Sequence, residues 1–302
     1  MNDFELSIVI PHFNDPSGLA ACLASLERQT YDKSRFEVII CDNNSDIPPQ
    51  GLEQYALNLR LVVEKKRGAG PARNAGVAIA RGQFIAFTDS DCKTHPDFVE
   101  EGLSQMRDMG ERGVLAGKIV YRPKDERPNS IEAFDIVFAM DQKSHALKGD
   151  AATGNLWTSR TLFNEVGPFV ADLAEDTDWC QRAYAIGAEF RFGDNCIVEH
   201  PARSTFEELK AKWKRQSAMT FNAQKKSGFF TVKWPLLCFA TAMSAIPHSI
   251  KALRTDKLSH LSDKLKSISI LFWCRWFRAR IMASFYFSGQ NHIDPNKYWK
   301  NS

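Results

Sequence analysis

The sequence predicts an α/β fold: a mostly parallel β-sheet with helices on both faces. Three observations predict it. Short runs rich in Val, Ile and Phe recur at 6–10 (LSIVI), 36–41 (FEVIIC), 60–64 and 83–88 (QFIAFT), as expected of strands buried on both faces. Helical patterns lie between some of them, and strand–helix alternation implies parallel pairing. Polar residues crowd where three of the apolar runs stop, and parallel sheets bind ligands at the carboxyl ends of their strands.

The chain opens on MNDFELSIVIPHFN, acidic where an export signal would be basic and apolar only over a strand's length, so retention in the cytoplasm is expected. The first run leads into Pro11-His12-Phe13-Asn14. Asp15-Pro16 then supplies a capping residue and an N1 proline for a helix carrying Leu19, Cys22, Leu23 and Leu26 at helical spacing. The second run ends in Asp42-Asn43-Asn44-Ser45-Asp46. After 60–64 comes Arg67-Gly68-Ala69-Gly70-Pro71-Ala72-Arg73-Asn74, followed by a helix to about Ala80. Its glycines permit close backbone approach at a helix start that can face an anion, but it has neither P-loop nor dinucleotide spacing, and a Gly-Pro turn with solvated arginines fits equally well. The fourth run ends in Asp89-Ser90-Asp91, and Pro96 begins a third helix. Residues 122–130 (RPKDERPNS) read as a loop, with helical segments near 131–147 and from Thr205 to Gln224.

Asp89 and Asp91, one residue apart beyond a buried strand, suit a hard divalent cation, Mg²⁺ or Mn²⁺, with Asp91 as ligand and Asp89 near a ribose or a metal-bound water. An isolated Asp-Ser-Asp is more often a capping turn, and the neighbouring acidic strand ends tip the reading toward the metal. Glu175-Asp176-Thr177-Asp178-Trp179 opens a helix ending at Gly187. Carboxylates favour a helix N-terminus on capping grounds alone. Three acids followed by an aromatic residue also suit a general base held in a fixed rotamer. His200, closing the strand-like 197–200, either makes an ordinary hydrogen bond or completes the metal shell.

The 302 residues include seven scattered cysteines without a Cys-x-x-Cys pair, which points away from a disulfide framework or zinc knuckle and toward a reducing compartment. Residues 201–302 carry 18 Lys and Arg against five Asp and Glu, a net of +13, whereas the first 200 carry a net of −10. The basic end should meet an anionic surface, nucleic acid or lipid. No base-reading motif accompanies the charge, so a nucleic-acid partner is not expected. Two apolar stretches point to lipid. Around PLLCFATAMSAI the run looks short for a spanning helix and suits the interface, and SISILFWCRWFRARIMASFYF (267–287) sets Arg275, Arg278 and Arg280 beside Trp273, Trp276, Phe277 and Tyr286. A core helix or a homodimer interface is the alternative reading.

Taken together, SIVIPHFN, CDNNSD, RGAGPARNAG, FTDSDC, TGNLWTSR and EDTDWCQR, in this order over about residues 5–203, resemble family 2 glycosyltransferases, which have the GT-A fold. The nearest likeness is to bacterial enzymes that build exopolysaccharide or lipopolysaccharide repeat units. The resemblance implies an inverting glycosyltransferase using Mn²⁺ or Mg²⁺, a UDP-sugar donor and a lipid-linked glycan acceptor. It implies a catalytic domain over 1–204, with a nucleotide-sugar half to about 95 and an acceptor half from 96, and a helical appendage over 205–302. That appendage would associate peripherally or monotopically with an anionic membrane, at the cytoplasmic face of the inner membrane. Pro11, Phe13, Asp42 and Arg73 would contact the nucleotide, with Asp42 at the uracil edge, and Asp89 and Ser90 would lie beside them. Asp91 and His200 would hold the metal; Gly154, Asn155, Glu175 and Trp179 would shape the sugar and acceptor pocket; Asp176 would be the general base. His12 departs from the Thr or Ser of many relatives. The rival functions are a non-catalytic nucleotide-sugar-binding protein and a processive synthase, the latter needing more spanning helices.

Overall fold

The structure, a computed structural model, describes residues 4–170, 174–225 and 229–298. It divides into two compact units, one of residues 1–120 and 140–200 and the other of 121–139 and 201–302.

In the first unit the order is β1 (Leu6–His12), α1 (Pro16–Glu27), β2 (Phe36–Asp42), β3 (Leu59–Val63), α2 (Ala69–Ile79), β4 (Phe84–Phe87), β5 (Lys93–Thr94), α3 (Phe98–Met109) and β6 (Gly113–Arg122). After the excursion into the second unit come α5 (Gln142–Ala146), β7 (Leu156–Ser159), α6 (Arg160–Val166), α7 (Glu175–Ala185) and β8 (Glu189–Pro201). The sheet runs β3-β2-β1-β4-β7-β6-β8-β5. Its first four strands are parallel, as predicted, while β7 pairs antiparallel to β4 and β6, and β5 antiparallel to β8, so the whole is mixed. β3 departs from the expectation of burial on both faces: it is an edge strand with Leu61 and Val63 exposed.

The two-residue period of the strands distributes the core. Leu6, Ile8 and Ile10 of β1 and Phe36, Val38 and Ile40 of β2 join one hydrophobic layer with Leu19, Cys22, Leu23 and Leu26 of α1 and Phe98, Leu103 and Met106 of α3. Val9, Ile39 and Cys41 point the other way, toward Ala72 and Val77 of α2 and Trp179, Cys180 and Ala183 of α7. Asp15 caps α1 by accepting the Gly18 N–H at 2.9 Å. Gly76 lets α2 approach the sheet: a Cβ there would lie 2.4 Å from Cys41 Sγ and 2.7 Å from Val9 Cγ1.

The second unit comprises α4 (Ser130–Phe138), α8 (Phe206–Lys225), α9 (Phe230–Met243), α10 (Ala245–Arg254) and α11 (Leu261–Phe287). The expected single helix near 131–147 is thus two, α4 and α5, assigned to different units. Ile131 and Phe134 of α4 pack with Leu209, Trp213, Ala245, Ile270 and Leu271. Between them lies a fully buried carboxylate, Asp135, bonded by Arg203 N at 3.0 Å, Arg203 Nη1 at 3.2 Å and Lys212 Nζ at 3.1 Å. Burial opposes its charge, but Lys212 and Arg203 outweigh that and hold Asp135 below the usual carboxylate range.

Two features differ from the sequence reading of the basic end. The apolar run around 235–246 is no short segment: helix continues through Pro235 and Pro247, and among the described residues Phe230–Arg254 is the one stretch long and apolar enough to cross a membrane. The arginine-bearing run lies within α11, where Trp273 stacks on Phe277 at 4.9 Å and Arg278 covers the Trp213 ring at 5.0 Å. Those aromatic residues pack within the unit, and Trp276 alone of the four is widely exposed.

Gly76→Val should lower the melting temperature by an amount corresponding to about 1–3 kcal/mol, because two branched methyls would have to displace Val9 and Cys41 from a closed layer. Thermal denaturation followed by circular dichroism measures it, and an unchanged midpoint would show that α2 does not seat on β1 and β2 as described.

Candidate active site

Each acidic element reaches the cleft because a buried strand or a packed helix ends there. β4 stops at Phe87, and Asp89 and Asp91 follow in the turn before β5. β5 pairs with β8 through Lys93↔Glu199, which brings His200 alongside that turn. The result is a group of potential ligand atoms from Asp89, Asp91, Cys92 and His200, all within 4.8 Å of one another. His200 Nε2 lies 3.7 Å from Asp91 Oδ1, and that oxygen is buried with no hydrogen-bond donor. Burial raises the Asp91 pKa, His200 works against the rise, and Asp89 adds to it. Clustered carboxylate oxygens with an imidazole, one oxygen unsatisfied, fit a divalent cation such as Mg²⁺ or Mn²⁺.

Arg73 is the centre of the arrangement. It projects from α2 into the protein, only 4% exposed, and its Nη2 donates to Asp89 Oδ1 at 2.7 Å while its Nη1 donates to Glu175 Oε1 at 3.3 Å. Burial disfavours its charge, but Asp89 and Glu175 outweigh burial and push its pKa above the ordinary arginine value. Asn74 fastens the same helix to the segment before α7, donating to Phe169 O at 2.8 Å and accepting from Phe169 N at 2.9 Å. Gly70 belongs to this contact, since a Cβ there would sit 3.4 Å from Glu175 and Phe169 side-chain atoms.

Asp176, next to Glu175 in the first turn of α7, has its pKa raised to about 6, first by burial and then by the Glu175 charge. A carboxylate in that state is poised to accept a proton near neutral pH. Across the cleft, Gly154 is buried where a Cβ would come 3.3 Å from Asp89 Oδ2, so the absence of a side chain there leaves Asp89 accessible.

The nucleotide-side residues sit at the ends of β1 and β2. Pro11 and Phe13 are half-buried, and Asp42 is nearly inaccessible, accepting Ser45 N at 3.2 Å and Ser45 Oγ at 2.5 Å. Burial lowers the His12 pKa, with Asp42 and Asp15 opposing, so His12 favours its neutral form. Ser90 is half-buried between the two aspartates.

Two residues expected in the sugar and acceptor pocket lie elsewhere. Asn155 is fully buried, its amide donating to Lys118 O and Cys196 O and its carbonyl accepting from Trp157 Nε1 at 3.0 Å. Trp179 is also fully buried, stacked on Phe163 at 5.6 Å with Nε1 donating to Gly167 O. Asn155, in the turn before β7, and Trp179, in the second turn of α7, thus support the site from behind. Sequence reasoning missed Cys92 as a neighbour of the cation group and Arg73 as the link between the acidic motifs. Adjacency to Asp91 signals the first, and nothing short of a fold signals the second.

A family description, Glycosyl transferase family 2, matches residues 7–167. Glycosyltransferase AglE of Haloferax volcanii is 31% identical over 69% of this chain and 71% of its own. The Escherichia coli UDP-Glc:alpha-D-GlcNAc-diphosphoundecaprenol beta-1,3-glucosyltransferase WfgD is 35% identical over 30% of this chain and 36% of its own length. Among solved structures, the mannosyltransferase PcManGT from Pyrobaculum calidifontis, in complex with GDP-Man and Mn²⁺, superposes with a TM-score of 0.64 over 95% of this chain and 88% of that one, at 15% identity. The fold is of GT-A architecture, and the family match and relatives make the chain a sugar-transferring enzyme. The chain belongs to glycosyltransferase family 2.

Arg73→Met should destabilise the fold by about 3–5 kcal/mol, because it leaves Asp89 and Glu175 facing a buried gap without a counter-charge; urea denaturation measures this, and a cost below 1 kcal/mol would reject the bridge. Asp176 gives a pH signature of opposite sign. Its folded pKa of about 6 lies above the ordinary 3.8, so the stability it contributes is complete below 3.8 and lost as pH rises through about 6. Asp176→Asn should therefore gain about 1–3 kcal/mol relative to wild type at pH 8, with the gap closing below pH ~4, as unfolding curves across pH would record.

Proposed function

We propose that this glycosyltransferase is an inverting, divalent-cation-dependent enzyme that moves a sugar from a UDP-sugar to a hydroxyl of a lipid-linked glycan, in bacterial exopolysaccharide or lipopolysaccharide assembly at the cytoplasmic face of the membrane. The observation that carries the reading is the cluster in which Arg73 ties Asp89 to Glu175, with Asp176, its pKa raised to about 6, next to Glu175. The relative WfgD, named for a UDP-sugar and a diphosphoundecaprenol-linked acceptor, supports the donor and acceptor classes. The PcManGT complex with Mn²⁺ supports the cation.

In this reading Pro11, Phe13 and Asp42 receive the base, Asp89 and Ser90 the ribose side of the donor, and Asp91 and His200 hold Mn²⁺ or Mg²⁺. A cation held by Asp91 and His200 would supply positive charge to the donor's diphosphate. Gly154 leaves room for the donor sugar beside Asp89, and Glu175 shapes the acceptor side. Asn155 and Trp179 act by positioning. Asp176 takes the proton of the acceptor hydroxyl as that oxygen bonds to the anomeric carbon. The bond from carbon to diphosphate oxygen breaks on the opposite face, which inverts the configuration and needs no covalent enzyme intermediate. Domains follow the same logic: the catalytic work lies in about 1–204, and the basic end after 204 brings the enzyme to an anionic membrane.

A panel of UDP-, GDP- and dTDP-sugars, each with and without Mn²⁺, tests the donor by thermal stabilisation; the largest metal-dependent shift should come from a UDP-sugar, and a larger shift with GDP- or dTDP-sugars would overturn that choice. Asp91→Asn should lose the metal-dependent part of the shift. Asp176→Asn should bind donor normally but transfer ~10²–10⁴-fold more slowly, and wild-type kcat/KM should fall as pH drops below about 6. A product of retained anomeric configuration would reject the mechanism.

A further inference from the structure

The face of the 230–254 helix that points away from its own unit is a continuous apolar stripe. Val232, Leu236, Phe239, Met243, Ile246, Ile250 and Leu253 are all exposed and follow one another at alternating steps of four and three residues, and exposed Phe229 stands just before the helix. At 100° per residue these helical positions stay within about 100° of one another, a broad face that turns slowly around a helix of about 37 Å. The opposite azimuth is the packed one: Trp234, Thr241, Ala245 and Ala252 are buried, and Trp234 Nε1 donates to Met282 O of α11 at 2.9 Å. No carboxylate occurs anywhere in 229–254. Lys233 and Lys251, about five turns apart, share one shoulder of the stripe, and Arg254 closes its end.

We infer that this stripe is a lipid-inserting surface that lies in the plane of an anionic membrane, its side chains among the upper acyl carbons and Lys233 and Lys251 among the lipid phosphates. The inference rests on the proposal above that the basic end meets a membrane, and it names the residues that do so. Three physical points choose this occupant and this orientation. So long an unbroken apolar face in contact with water would be unusual for a freely soluble chain. A flank that is cationic and free of carboxylates complements anionic lipid rather than a neutral or basic protein partner. The helix cannot sink to the bilayer centre, because α11 packs along it and carries Arg275, Arg278 and Arg280, whose charges belong at the interface or above it.

The test uses the full chain and two vesicle types, phosphatidylcholine alone and phosphatidylcholine with phosphatidylglycerol. Wild type should float with the anionic vesicles, less so in high salt. Leu236→Glu/Phe239→Glu should weaken that partitioning about hundredfold, at tenfold or more for each side chain, while Ile47→Glu, which alters an exposed apolar residue of the other unit, should leave it unchanged. Both variants change exposed positions, so transfer to a soluble acceptor should match wild type and report that they fold. If wild type itself fails to float, membrane docking fails and the stripe with it. If wild type and the double variant float equally, docking stands and the stripe is not its surface. Light scattering covers the other occupant: a wild-type dimer that the double variant turns into a monomer would assign the stripe to a second copy and overturn the inference. Orientation is read with Val232→Trp, Phe239→Trp and Leu253→Trp, each compared with its parent in vesicles of brominated lipid. Equal, shallow quenching at all three is expected, and quenching that is deep at 239 and shallow at the ends would mean a spanning helix instead.

Discussion

A buried guanidinium organises the first unit. Arg73 is surrounded by protein and held between Asp89 and Glu175, and without it the turn after β4 and the start of α7 would bring like charges together with nothing between them. At this depth a lone cation would be as unfavourable as the lone acids, so all three must be placed together or not at all. The demand propagates outward. Helix α2 must lie close enough to both acids for one side chain to span them, which Gly70 allows on the α7 side and Gly76 on the sheet side, and Asn74 pins the loop that precedes α7. The glycine-rich segment is therefore chiefly a packing device that aims an arginine.

How much of this was legible beforehand depends on whether a feature is local. The abrupt change from Val, Ile and Phe to Asp, Asn and Ser at the ends of β1, β2 and β4 follows from burial and from the direction of parallel strands, and it located the cleft. The Asp15 cap and the face of α1 were legible for the same reason. Pairing across the chain was not. Nothing in RGAGPARNAG says that Arg73 meets an acid a hundred residues later, and the resemblance assigned it a nucleotide contact. Asn155 and Trp179 misled in a complementary way. Their types suit a sugar pocket, but a side chain's direction depends on which face of its element the core claims, and in both cases the core claimed it. β3 read as a buried strand because apolar content does not reveal an edge.

The basic end shows the same division. Its charge excess and aromatic content were plain from composition, but the apparent punctuation by Pro235 and Pro247 hid a helix that runs through both. Conversely, the arginine-rich stretch read as a surface is half-buried along α11, with Arg278 laid over Trp213. Charged residues on long stems can cover aromatic faces and still keep their heads wet, so their presence does not by itself mark a boundary with solvent or lipid.

The path of the chain between its two units bears on how such enzymes diversify. Residues 121–139 leave the first unit, contribute α4 to the helical one and return, and Asp135 on that excursion is neutralised by Arg203 and Lys212 from the later segment. A helical tail added by simple end-to-end fusion would arrive without that carboxylate, leaving Arg203 and the largely buried Lys212 without their counter-charge. Moving this module into another chain would therefore require the internal insert and the terminal extension together.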